Sequence, residues 1–119
     1  YIDFFCTDVS FISLEKILPV TYQLLKDNGT GVALIKPQFE ASREEVGKKG
    51  VVKDINVHKK VIQKIVDFSK GIGFKIIGLD FSPIKGPEGN IEFLIYLSKN
   101  DLDIEQYDID KVVQQAHEL

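Results

Sequence analysis

Val32-Ala33-Leu34-Ile35-Lys36-Pro37-Gln38-Phe39-Glu40 is an apolar run that stops on a lysine followed by a proline, and it narrows the folds open to this chain. Its apolar residues, bounded by Gly29 and Gly31 on one side and Pro37 on the other, read as a strand buried on both faces, as inside parallel sheets. Pro37 has no N–H to give to a ladder, so the strand ends there. Lys36 then stands at the carboxyl end of a central strand, the edge at which ligands bind in open α/β sheets. An ammonium held there is a candidate reactive group; taken alone, the segment equally allows a lysine whose stem snorkels out to solvent.

The 119 residues, 44% of them hydrophobic, suffice for one domain with a core and are too few for two. A formal net charge of −3 leaves no global basic footprint, so any nucleic-acid contact has to come from a local cluster or from another part of the protein. The single cysteine, Cys6, lies in an apolar run without a partner, which fits a reducing compartment and a core-filling role. No apolar stretch approaches the roughly twenty residues of a bilayer span and no signal segment is visible. A soluble, cytoplasmic protein is expected.

Taken in order, Ile2-Asp3-Phe4-Phe5-Cys6-Thr7-Asp8 reads as a first strand with no polar leader, and on that ground a preceding segment is expected. Leu14, Ile17, Leu18, Tyr22 and Leu25 keep one helical face, with Ser13 as cap and Glu15 in the positive first turn. Pro19 predicts a bend or a helix that starts there, and Asn28-Gly29 a left-handed stop. Strand, helix and strand then make a right-handed parallel crossover. From Gln38 to Asn56 the periodicity lapses, apart from a capping box at Ser42-Arg43-Glu44-Glu45 and a Gly47-Lys48-Lys49-Gly50 tract. A long functional or mobile loop with one helical turn is expected.

Val57, Val61, Ile65, Phe68 and Ile72 restore helical spacing, and Gly71 and Gly73 end it. Phe74 to Phe81 is a strand, Ser82 to Asn90 is a turn with two prolines and two glycines, and Ile91 to Leu97 is the last strand. No helix separates these two strands, so they pair antiparallel or lie apart. Asp108 to Glu118, with Ile109, Val112, Val113 and Ala116 on one side, is a terminal helix.

Topology selects the chemistry. Asp8 ends the first strand and Lys36 the second, at the carboxyl edge of a parallel pair, while Glu92 begins a strand that reaches the same edge if it runs antiparallel. A lysine flanked by carboxylates suits deprotonation or alignment of a hydroxyl nucleophile. No nucleophile elbow, Walker loop or zinc-ligand spacing is present. His58 and His117 stand on helices without ligand-spaced neighbours, which favours solvated or capping roles.

Thr7-Asp8-Val9-Ser10-Phe11-Ile12-Ser13-Leu14, Leu34-Ile35-Lys36-Pro37-Gln38-Phe39-Glu40, Lys49-Gly50-Val51-Val52 and Ser82-Pro83-Ile84-Lys85-Gly86-Pro87-Glu88-Gly89-Asn90-Ile91-Glu92-Phe93 together resemble the TlyA family. These are haemolysin-like ribosomal RNA 2′-O-methyltransferases with an FtsJ-type catalytic domain, and the likeness runs from Asp8 to about Leu97. It implies S-adenosylmethionine as methyl donor, ribosomal RNA or a ribosomal subunit as partner, and a Lys-Asp-Lys-Glu tetrad whose last three members fall on Asp8, Lys36 and Glu92. Asp8 would also border the donor, and Arg43, Lys48, Lys49 and Lys85 could meet phosphates, although ordinary solvated charge is the alternative.

The implied fold is α/β, a partial Rossmann-like sheet in spatial order 1-2-4-3 with the last strand antiparallel and helices on both faces. Residues 1–119 would be the carboxyl-terminal portion of the catalytic domain. The tetrad's first lysine, the glycine-rich donor loop and an S4-type RNA-binding domain would all precede Asp8, leaving this chain inactive alone, with an open first-strand edge that self-associates or retains an upstream fragment. A non-catalytic RNA-binding or assembly module and a membrane-active haemolysin are the rival readings.

Overall fold

The computed structural model describes residues 1–47, 49–86 and 89–118. Strands β1 (Ile2–Thr7), β2 (Leu25–Ile35), β3 (Lys75–Phe81) and β4 (Phe93–Ser98) form one sheet in the order β1-β2-β4-β3. β1 and β2 are parallel, with Cys6 opposite Val32, and β4 runs antiparallel to both β2 and β3. The order and the reversed last strand are those expected, because the connection from β3 to β4 contains no crossover helix among its described residues.

The helices are α1 (Leu14–Leu24), α2 (Pro37–Glu40), α3 (Ile55–Ile72) and α4 (Ile109–His117). α3 touches both α1 and α4, α1 lies on β2, and α4 lies on β3. The β1-α1-β2 and β2-α3-β3 crossovers advance the same way across the sheet, so right-handedness puts both helices on one side. This corrects the expectation of helices on both faces: among the described residues α1, α3 and α4 share one. It also corrects the burial expected of β2, where Gly31, Ala33 and Ile35 are buried but Val32 and Leu34 only half-buried. Leu18, Ile35, Ile62, Ile65 and Ile95 are fully enclosed between sheet and helices, each contributing roughly 1.5–3 kcal/mol. On the open face lie Ile2, Phe4 and Tyr96, and with them Cys6, which is exposed instead of filling the core.

Ser13 caps α1 by accepting from Glu15 N at 3.0 Å, and the helix begins at Leu14 and passes through Pro19. It does not stop at Asn28-Gly29. Leu25 is already extended and pairs with Ile2, whereas Phe4 pairs with Thr30, so residues 26–29 form an excursion within β2. α3 ends on Gly73 as expected, at φ 118°, where a Cβ would come within 2.4 Å of Tyr22 Oη on α1. The stretch after β2 is more structured than a loop with one turn. It holds α2, then a 3₁₀ turn at Arg43–Glu45 in which Ser42 N and Oγ both donate to Glu45 Oε1 at 2.9 Å.

Candidate active site

The ends of β1 and β2 bring Asp8 and Lys36 into an ion pair, the ammonium side chain 12% exposed and the carboxylate 64%. Lys36 Nζ also donates to Ser10 Oγ at 3.2 Å, so two groups from the turn after β1 hold it. Glu92 lies immediately before β4. Ile35 and Phe93 face one another in register, which places Lys36 and Glu92 one residue beyond that pair on the same rim. Glu92 is buried and accepts from Gln38 Nε2 at 3.2 Å. Among the described residues Lys36 is ion-paired with Asp8 and not with Glu92. The rim thus has two halves: Asp8, Ser10 and Lys36, then Gln38 and Glu92.

Both halves rest on local anchors. Glu40 is buried, accepts from Ser13 Oγ at 2.6 Å and from Leu14 N at 2.8 Å, and so pins the turn after Lys36 to the positive end of α1. Asn90 Oδ1 accepts from Val52 N at 3.0 Å and its Nδ2 donates to Gly50 O at 2.9 Å, tying the strand start beside Glu92 to the segment after Lys49. Glu92 lies against Gly86, where a Cβ would come within 2.3 Å of Oε2, so any side chain there would displace the carboxylate.

Phe11 is in the left-handed region at φ 64°, 89% exposed, with its ring 4.8 Å from that of Phe39. A bulky residue held in that conformation is an outlier of the kind found at functional sites. Ser10, Phe11, Gln38 and Asn90 were all within the motifs that carry the family likeness, yet residue type alone assigned them no role.

Arg43, Lys49 and Lys85 are exposed, while Lys48 lies outside the described residues. Lys85 shares a cleft of about 230 Å³ with Lys53 and His117. His58 is neither solvated nor a cap, while His117 is half-buried in the last turn of α4. His58 is fully buried, its Nδ1 is 2.7 Å from His117 Nε2, and its Nε2 donates to Val52 O at 2.8 Å. Burial pushes the His58 ring below its ordinary pKa, against the raising effect of the Val52 carbonyl. No group of metal-ligating side chains occurs among the described residues. The chemistry on offer is that of an amine fixed by a carboxylate and a hydroxyl, next to a second, buried carboxylate.

Residues 1–99 match the family described as FtsJ-like methyltransferase. The chain is 47% identical over 120 residues to "Putative rRNA methyltransferase YqxC" of Bacillus subtilis, covering 97% of this chain and 43% of that protein. It is 33% identical over 96 residues to "16S/23S rRNA (cytidine-2'-O)-methyltransferase TlyA" of Mycobacterium tuberculosis, covering 81% and 36%. A crystal structure of "a putative hemolysin" from Lactococcus lactis superposes with a TM-score of 0.89 at 48% identity, covering 95% of this chain and 55% of that one. The chain therefore spans less than half the length of these curated relatives.

Proposed function

We propose that this chain, which belongs to the FtsJ-like methyltransferase family, works within a longer protein that methylates a ribose 2′-hydroxyl of ribosomal RNA, with Asp8, Lys36 and Glu92 as its catalytic groups. The observation that carries this reading is the Lys36–Asp8 ion pair at the carboxyl edge of the sheet, with Glu92 on the same rim. The names of the relatives support the substrate class.

S-adenosylmethionine, when bound, supplies an electrophilic methyl group on a sulfonium. The group of this chain that suits such a cation is the Asp8 carboxylate, mostly exposed at the end of β1. Lys36 Nζ, held by Asp8 and Ser10, orients the attacking hydroxyl. Glu92 fixes the far side of the hydroxyl's hydrogen-bond network. Arg43, Lys48, Lys49 and Lys85 meet RNA phosphates, the local contacts that a chain of net charge −3 requires. The exposed Phe11 ring offers a face on which an unpaired base can stack. A ribosomal substrate places the work in the cytoplasm, and no helix among the described residues is long and apolar enough to cross a membrane.

In the intact parent, Lys36→Met is expected to retain S-adenosylmethionine binding and to lose at least about 100-fold in methyl incorporation into ribosomal RNA. Wild-type turnover in that variant overturns the assignment of Lys36. A wild-type parent that binds ribosomal RNA but incorporates no methyl group speaks for the assembly-module reading. Dye release from lipid vesicles by the same preparation speaks for the haemolysin reading; none is expected.

A further inference from the structure

Gln38 sits two positions after Lys36, on α2. Its Nε2 donates to Glu92 Oε2 at 3.2 Å, while its Oε1 is buried and has no hydrogen-bond partner among the described residues. A buried acceptor left without a donor is uncommon in folded chains, because it has given up water and received nothing in exchange. The amide is turned this way because only an N–H can face a carboxylate, which sends Oε1 to a place where the described residues supply no donor. The backbone cannot swing to relieve it. Phe39 N bonds Lys36 O at 2.9 Å, Ala41 N bonds Pro37 O at 2.9 Å, and Pro37 is buried. A side chain selected for stability alone would satisfy both ends or be apolar. Here one end goes unmet so that the other can be aimed at Glu92 Oε2, the oxygen that also lies against Gly86.

We infer that Gln38 is a positioning residue, whose carboxamide fixes the Glu92 carboxylate for the methyl transfer proposed above. The inference rests on that reading for its catalytic consequence and on the Gln38–Glu92 contact for its geometry.

The test uses the intact parent with S-adenosylmethionine and ribosomal RNA. Gln38→Met keeps the length of the side chain and removes the donor, so kcat is expected to fall by about tenfold or more while KM for donor and RNA stays within about twofold. Gln38→Glu sets two carboxylates face to face. Its rate relative to wild type is expected to rise as the pH falls, because the introduced carboxyl group, once protonated, again donates to Glu92. Wild-type kcat in Gln38→Met, or a pH profile of Gln38→Glu parallel to wild type, overturns the inference. Should Gln38→Met fail to fold, the isosteric Gln38→Glu still gives the pH readout. Thermal denaturation of Gln38→Met, Glu92→Met and the double variant examines the contact without activity. Non-additive shifts in Tm are expected, and additive shifts overturn the inference even in a parent that methylates nothing. An inactive wild-type parent with non-additive shifts overturns only the function.

Discussion

Glu40 anchors the turn that follows the lysine of the rim. Its side chain is 2% exposed, accepts from Ser13 Oγ and Leu14 N, and has Lys64 Nζ 3.8 Å away. The Lys36–Glu40 turn is thereby fastened to the start of α1, the same helix whose preceding loop carries Asp8 and Ser10. Glu40→Ala leaves a half-buried hydroxyl and a buried helix-terminal N–H without their acceptor. Urea denaturation is expected to show a loss of about 2–4 kcal/mol, whereas a loss under about 0.5 kcal/mol would place Glu40 among ordinary surface residues. The rim positions of Asp8, Lys36 and Glu92 could be read from the sequence because each lies at a strand end, where topology alone decides which edge a residue occupies. Ser10, Gln38 and Glu40 could not, because their partners are 26, 54 and 27 residues away and only packing brings them together.

Elements were legible where local chemistry decides them and obscure where a distant neighbour does. The antiparallel β4 follows from a connection without a helix, and the Gly73 cap from the need for a left-handed residue. The end of α1 was misplaced because Asn28-Gly29, good stop chemistry, is used for the excursion within β2 opposite Ile2 and Phe4. The histidine pair was missed for the same reason: His58 on α3 and His117 on α4 meet across 59 positions. In that pair His58 Nε2 must be the protonated nitrogen, since the Val52 carbonyl only accepts, so in the neutral ring Nδ1 accepts from His117 Nε2. Burial lowers the folded pKa of His58, so the unfolded chain binds more protons than the folded one and stability rises with pH through this window. The contribution is fully present above the ordinary histidine value of 6.5 and is lost as the pH falls through the lowered folded value. Urea midpoints recorded from about pH 8 to pH 5 are expected to decline on the acid side, with a flatter profile in His58→Gln; a flat wild-type profile would show that the pair does not carry the dependence. α4 lies beyond residue 99, where the family match ends, so this linkage joins the terminal helix to α3 within the matched span.

At the scale of the whole molecule the asymmetry of the sheet matters most. Three helices cover one face, and the other carries a row in register across the strands, Cys6 beside Val32 beside Tyr96, flanked by Phe4 at 60% exposure and by Ile2. β1 is the outer strand of the order and pairs only with β2 among the described strands, so its far side presents unpaired backbone donors and acceptors. An exposed edge next to large apolar side chains is a template for pairing with another chain. A net charge of −3 spread over 119 residues opposes association only weakly at physiological salt, where charges are screened beyond about 8 Å. The chain by itself is therefore expected to self-associate. Asp8 is one carboxylate at the end of an edge strand, so titration calorimetry of the isolated chain is expected to detect no S-adenosylmethionine binding. Sedimentation velocity should show a coefficient that rises with protein concentration, and Phe4→Asp, which puts a charge in the exposed row without touching the buried Phe5, should return it toward the monomer. A wild-type chain that stays monomeric at every concentration would mean that the open face and edge are tolerated by solvent, and specific donor binding would mean that Asp8 and its surroundings already form a complete donor site.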